Sequence, residues 1–168
     1  MPDHVRPCEA ADCDVPVMYQ PAIRPATAAD IDAIAELEAA GLGANAWSRV
    51  LLQAAVDSMI VLDDRSGYAL VRVSGATADL DRIVVDPALQ GRGHGRRLLD
   101  AVIAIASRGG AHALLLEVAA ANHAALGLYR ACGFTRIARR EDYYGPGADA
   151  IVMRRWLAHD QDRASLEI

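Results

Sequence analysis

An α/β domain on a mixed central sheet is the fold class this sequence predicts, and three observations carry that prediction. The stretch from Arg82 to Leu99 runs a β-branched strand into a turn, passes through Gly91, Gly93 and Gly95, and enters an apolar-periodic helix. Ala113–Val118 is an apolar run, which predicts a strand buried on both faces. Around these the strand and helix patterns follow the order β-α-α-β-β-β-α-β-α-β-β, with no internal repeat.

Each element has its own warrant. Ile23–Ala26 reads as a first strand. Thr27 with Asp30 three residues on is a helix start signature, continued by Ile31, Ile34, Ala35, Leu37 and Glu38-Ala39 at helical spacing. Gly41–Trp47 breaks that helix, and Ser48 starts a second one that runs to about Asp57. Met59–Leu62 and Tyr68–Val73 are strands joined by the tight hairpin Asp63–Gly67, and Ala78–Val85 is the next strand. Leu98, Leu99, Val102, Ile103 and Ala106 give the helix after the glycines its buried stripe, which Gly109-Gly110 ends. Asn122 caps a short helix, His123–Ala131, that Gly133 terminates. Phe134–Arg140 and Ala150–Arg155 form a closing antiparallel pair around Gly145-Pro146-Gly147.

The whole chain narrows the class further. Its 168 residues make one domain with a substantial core, and 53% hydrophobic against 5% aromatic residues implies an Ala/Val/Leu/Ile interior. No apolar run approaches the roughly twenty residues of a membrane span, and the N-terminus has no apolar signal core. A cytoplasmic protein with no membrane partner is expected. Three widely spaced cysteines do not make a disulfide framework. A formal charge of −5 argues against direct nucleic-acid binding and suits a basic peptide or protein partner. His4, Cys8 and Cys13 lack the second close-spaced pair that a tetrahedral metal site needs, so no metal is expected. Residues 1–20 read as a flexible extension, 21–157 as the folded domain and 158–168 as a C-terminal tail.

The glycine loop invites a phosphate. Glycines let successive backbone N–H groups face one concavity, and the following helix adds its free N–H groups and positive dipole end. A Walker loop needs Lys-Ser or Lys-Thr after its last glycine, whereas Arg96-Arg97 follows Gly95. A dinucleotide fold needs Gly-x-Gly-x-x-Gly close behind its strand; here the spacing is Gly-x-Gly-x-Gly and five residues, Asp86 to Gln90, intervene. Only about fifty residues follow Glu117, too few to finish a doubly wound sheet.

Gln90, Gly93 and Gly95 behind Val85-Asp86-Pro87 instead resemble the pyrophosphate loop of acetyl-CoA-dependent N-acetyltransferases. Together with the element order, the chain over residues 21–155 resembles the GCN5-related N-acetyltransferase superfamily. Leu116-Glu117-Val118, Asn122, Ala125-Leu126, Leu128-Tyr129 and Gly133-Phe134 are similar to the Rim-type ribosomal-protein-alanine N-acetyltransferases. Arg140, Tyr143-Tyr144, Ala148-Asp149-Ala150, Met153 and an early Trp47-Ser48 agree. The chain departs where the family commonly has Arg after Glu-Val, since Ala119 stands there; the Leu62–Tyr68 hairpin is short and the N-terminal extension unusual.

The resemblance implies transfer of acetyl from acetyl-CoA to a primary amine, on a protein N-terminus and in particular an Ala-start ribosomal protein. Glu117 is the candidate general base; the alternative is a carboxylate that pairs with an Arg at the sheet end. Tyr129 is the candidate general acid, or else a core tyrosine beside Phe134. Asn122 is a plain N-cap that could also bond the pantetheine arm. As in the superfamily, pantetheine would pair with the free edge at Ile83, Val84 and Val85. Gly91, Gly93 and Gly95 would form the phosphate cradle, with Gln90, Arg92, His94, Arg96 and the loop backbone around it. Arg97 reads as a solvated charge and Cys132 as core. The acceptor would enter between Gly41–Trp47 and Tyr143–Ala148, with Trp47, Tyr143 and Tyr144 as groove residues, although the two tyrosines could equally fill the last strand pair. Lys or small-amine acetylation and a non-catalytic acyl-CoA-binding module are the competing functions.

Overall fold

Side-chain alternation along neighbouring strands divides this molecule into two cores on either side of one sheet. In β2 (Met59–Leu62), Met59 and Val61 face one apolar cluster while Ile60 and Leu62 face the other. In β3 (Gly67–Ser74), Tyr68 and Leu70 oppose Ala69 and Val71 in the same way. The computed structural model describes residues 20–157. The expected tail over 158–168 and, apart from Gln20, the expected extension over 1–20 lie outside the described residues. His4, Cys8 and Cys13 lie there too.

Five further strands complete the sheet: β1 (Ile23–Pro25), β4 (Thr77–Val85), β5 (Ala113–Ala119), β6 (Thr135–Arg140) and β7 (Ala150–Trp156). Their spatial order is β1-β2-β3-β4-β5-β7-β6, and every neighbouring pair is antiparallel except β4–β5. The helices α1 (Ile31–Leu42) and α2 (Arg49–Ala55) supply Ile31, Ile34, Leu37 and Leu52 to one core. The other core takes Leu98, Leu99, Val102 and Ala106 from α3 (His94–Arg108), and Leu126 and Tyr129 from α4 (His123–Ala131).

Helix α1 starts as Thr27 and Asp30 foretell, but through a 3-10 turn, Ala28–Asp30. The buried Asp30 carboxylate accepts from the Thr27 N–H at 2.9 Å and from both arms of the Arg24 guanidinium at 2.7 and 2.8 Å. Those bonds, Arg24's foremost, hold Asp30 well below the usual carboxylate range. Ser48 caps α2 as expected, its Oγ accepting from the Leu51 N–H at 3.4 Å.

Two irregularities of β4 shape everything downstream. Leu70 pairs with Arg82 and the next residue, Val71, with Leu80, so Asp81 is an extra residue in the strand. Leu80 and Val84 lie four apart, which in a regular strand means one face; here they enter opposite cores because the bulge shifts the phase. Pairing of β4 with β5 runs from Thr77↔Ala113 to Leu80↔Leu116 and stops. Beyond it, β4 stays with β3 as far as Val85↔Gly67, and β5 stays with β7 as far as Ala119↔Ala150. The sheet therefore forks, opening between Arg82–Val85 and Glu117–Ala119.

The fork corrects one expectation. Ala113–Val118 is not buried on both faces: Leu114, Leu116 and Val118 pack under α3 and α4, whereas Leu115 and Glu117 are half-buried on the opposite face. The helices α1 and α2 pack against β2, β3 and β4 and leave that side of β5 partly open.

Candidate active site

Glu117 is the first residue of β5 past the last β4–β5 pair, so it sits in the crotch of the fork. Its register partner on β7 is Val152. Arg140, at the end of β6, brings Nη1 to 2.9 Å from the Glu117 Oε1. The Glu117 carboxylate also raises the Tyr143 phenol above its usual range. Arg140 also stacks over the Tyr143 ring at 5.3 Å. The ring of Tyr144 meets that of Tyr143 edge-on at 4.9 Å. Burial and the Glu117 charge push the Tyr144 phenol up as well. The Arg pairing expected of a structural carboxylate is thus present, within a cluster of two phenols and one acid. Tyr143 and Tyr144 are among the exposed large side chains, so they do not fill the last strand pair.

Tyr129, two turns into α4, is buried in the core on the α3 side, its ring tilted at 58° against Phe134 with centroids 5.7 Å apart. Burial raises its phenol well above the usual range, and Tyr144 adds to the shift. The core position and the electrostatic contact with Tyr144 coexist. Asn122 does cap α4: its Oδ1 accepts from the Ala125 N–H at 3.1 Å. Cys132 is buried at the end of the same helix, and burial pushes its thiol up, which suits a core residue rather than a nucleophile.

The glycine loop lies at the outer end of β4. The Asp86 carboxylate accepts from the Ala88 N–H at 2.9 Å and fixes the turn, and Gln90 Nε2 reaches back to the Val85 carbonyl at 3.3 Å. Gly91 and Gly93 hold φ of +77° and +88°, and nothing stands within 4 Å of where their Cβ would be. Gly93 is the N-cap of α3. Gly95 differs from them: it lies within the helix, and its Cβ position is 3.5 Å from Leu128 of α4, an ordinary van der Waals contact. Arg96 pairs with Asp100 at 3.0 Å, and Arg92 is exposed. His94 Nδ1 is buried with no protein partner. Arg97 is not a solvated charge: it is half-buried and its Nη2 donates to the Pro21 carbonyl at 2.6 Å, tying the start of the domain to α3.

Trp47 stands on the α1 side of the fork, half-buried, its backbone N–H donating to Glu38 Oε2 at 2.8 Å and its ring 4.7 Å beneath the Arg82 guanidinium. Glu38 and Arg82 are the site-forming residues that the sequence argument passed over, and Arg140 entered it only through the resemblance, not as the partner of Glu117. Glu38 carried a signal, since it falls four residues after Ile34 and seven after Ile31, on the buried stripe of α1. A carboxylate on such a stripe requires partners. Arg82 gave none, because its partners come from distant segments.

The Acetyltransferase (GNAT) family matches residues 35–134. The chain belongs to this family. Among its relatives, the N-alpha-acetyltransferase RimI of Mycobacterium tuberculosis is 49% identical over 94 residues, 53% of this chain and 58% of that one. The chain spans about half the length of the curated relatives it matches, 39% in one case. The solved ribosomal-protein-S18-alanine N-acetyltransferase of Escherichia coli shares 28% identity at a TM-score of 0.73, covering 83% of this chain and 95% of that one. A Salmonella typhimurium protein, yncA, solved with its cofactor acetyl-CoA, is 25% identical at a TM-score of 0.71, covering 84% and 96%. In this GNAT chain no helix among the described residues is long and apolar enough to cross a membrane. Nor do the described residues include a group of three or more His, Cys, Asp or Glu that could hold a metal ion.

Proposed function

We propose that this chain transfers the acetyl group of acetyl-CoA to the N-terminal α-amine of a protein, with Ala-start ribosomal proteins as the first candidates. The observation that carries this reading is the fork after Leu80↔Leu116, with a carboxylate in its crotch and a glycine cradle at the end of one prong. The residues suit the cosubstrate. Gly91 and Gly93 leave open a space that any Cβ would enter, and His94 supplies a buried ring nitrogen without a protein partner. The cradle of Gly91–Gly95 with Gln90, Arg92, His94 and Arg96 would hold the pyrophosphate at the start of α3. Backbone groups of Ile83, Val84 and Val85 would pair with the pantetheine arm, and Asn122 lies at the start of α4 to meet it.

Acetyl-CoA supplies an acyl carbon activated by a good leaving thiolate. An α-ammonium, with its ordinary pKa near 8, gives up one proton to Glu117, directly or through a water. The freed nitrogen lone pair forms the new N–C bond as the C–S bond breaks. A main-chain N–H of Ile83–Val85 would stabilise the negative charge that gathers on the carbonyl oxygen. Tyr129 hydrogen-bonds the departing sulfur and hands it a proton; the acetylated nitrogen sheds its second proton, and Tyr129 is restored by that proton through solvent. The phenol is protonated at working pH, as an unperturbed tyrosine would be, and burial, by raising it further, enlarges the cost of passing its proton to the thiolate. Trp47, Tyr143 and Tyr144 line the acceptor side.

Two peptides test the reading by intact mass after incubation with acetyl-CoA. One has a free N-terminal Ala and no Lys; the other has a blocked N-terminus and one Lys. Acetylation of the first alone supports α-amine transfer and justifies ribosomal-protein N-termini as the next substrates. Transfer to the Lys peptide alone replaces it with side-chain acetylation. Acetyl-CoA binding without transfer to either peptide overturns the proposal in favour of a small-amine acceptor or a binding module.

A further inference from the structure

Arg82 takes no part in the proton transfers, yet it is the side chain that joins β4 to the segment between α1 and α2. It is the first residue after the bulge at Asp81 and lies beyond the last β4–β5 pair, at the mouth of the fork. Its Nη2 donates to the Asn45 carbonyl at 3.1 Å, its Nη1 lies 3.4 Å from Glu38 Oε2, and its guanidinium covers the Trp47 ring. Glu38 is fully buried and holds Arg82 from below, while also accepting the Trp47 backbone N–H and the Tyr68 hydroxyl. A buried carboxylate without such partners would be strongly destabilising, so the arrangement has little freedom to relax. The Arg82 charge also acts on the Tyr144 phenol, opposing the upward push of burial and Glu117. Lysine could keep the charge but not bond a carbonyl, face a carboxylate and cover a ring in one plane.

We infer that Arg82, clamped by Glu38, is a positioning residue that fixes the Asn45–Trp47 segment as one wall of the acceptor groove and thereby sets acceptor affinity. The inference rests on the proposed function, in which Trp47 lines that groove. It predicts a defect confined to the acceptor. Arg82→Lys and Arg82→Ala are made in a Trp156→Phe background, so that Trp47 is the sole tryptophan; Trp156 is 64% exposed and its replacement is mild. Steady-state kinetics with the Ala-start peptide, acetyl-CoA affinity by calorimetry and Trp47 emission are then compared.

The expected result is a rise of about tenfold in acceptor KM for both variants, with kcat held within about twofold. Acetyl-CoA affinity stays unchanged, and Trp47 emission moves to the red as its cover is lost. An unaltered acceptor KM in Arg82→Lys and Arg82→Ala overturns the inference. So does a parallel loss of kcat and acetyl-CoA affinity, which would mark general damage to the fold. If the alanine variant does not fold, the lysine variant decides alone. Absence of transfer by the parent protein to any peptide overturns the proposed function itself, a result distinct from transfer that is indifferent to Arg82.

Discussion

At the scale of single residues, Glu117 carries the sharpest question, because its carboxylate is already engaged. Arg140 holds one oxygen at 2.9 Å, and the carboxylate's charge acts on the Tyr143 phenol. In the proposed mechanism an acceptor ammonium has to displace or share Arg140 to reach this carboxylate. Glu117→Gln keeps the shape and removes the proton acceptor. Its turnover should fall by about a hundredfold with acetyl-CoA affinity unchanged, and an equal rate would remove Glu117 from the chemistry. Tyr129→Phe separates acid from packing, since the ring keeps its contact with Phe134. Its kcat should drop by about a hundredfold while the urea midpoint shifts little; a large loss of stability with normal kcat would make Tyr129 a core residue only.

At the scale of elements, two helix starts do different work. The start of α3 is a left-handed glycine, and a β-branched residue there is strained even though no protein atom crowds it. Gly93→Val should cost about 1–2 kcal/mol of stability and weaken acetyl-CoA binding at least tenfold; unchanged affinity by calorimetry would displace the phosphate site from this loop. The start of α1 is tied down by Asp30, whose folded pKa lies below its unfolded value. A group depressed in this way stabilises fully above its unfolded pKa, near 4, and the contribution is lost as pH falls from there toward the folded value. Asp30→Asn should therefore be about 2 kcal/mol less stable than the parent at pH 7, and urea titrations at progressively lower pH should show that gap closing below about pH 4.

At the scale of the whole molecule, two cores share one sheet, so neither face can loosen alone. Leu99 is fully buried on the α3 side, whereas Trp47 packs against the core on the α1 side. Leu99→Ala should cost about 2–5 kcal/mol in urea unfolding. Trp47 fluorescence, read in the Trp156→Phe background, and far-UV circular dichroism should report the same transition midpoint; separate midpoints would mean that the two faces unfold independently.

Much of this architecture was legible in the residues themselves because it rests on short-range rules. Apolar, β-prone runs on either side of a tight turn placed β2 and β3, Ser48 and Asn122 announced their helices, and the positive-φ positions at Gly91 and Gly93 were signalled by the glycines that occupy them. What lay beyond local rules was decided by the tertiary structure. The bulge at Asp81 and the end of the Leu80↔Leu116 pairing depend on which strands become neighbours, and no local pattern encodes a neighbour. The half-open face at Glu117 follows from where α1 and α2 pack, not from the apolar run itself. Arg97 looks like any solvated helix charge until Pro21 is brought to it, and Arg82 and Arg140 become part of a site only when Glu38, Trp47 and Glu117 arrive from other segments. The sequence determined the elements and the cradle; the pairing of remote segments decided which charges meet at the fork, because an ion pair exists only where folding ends two chains of contacts at one point.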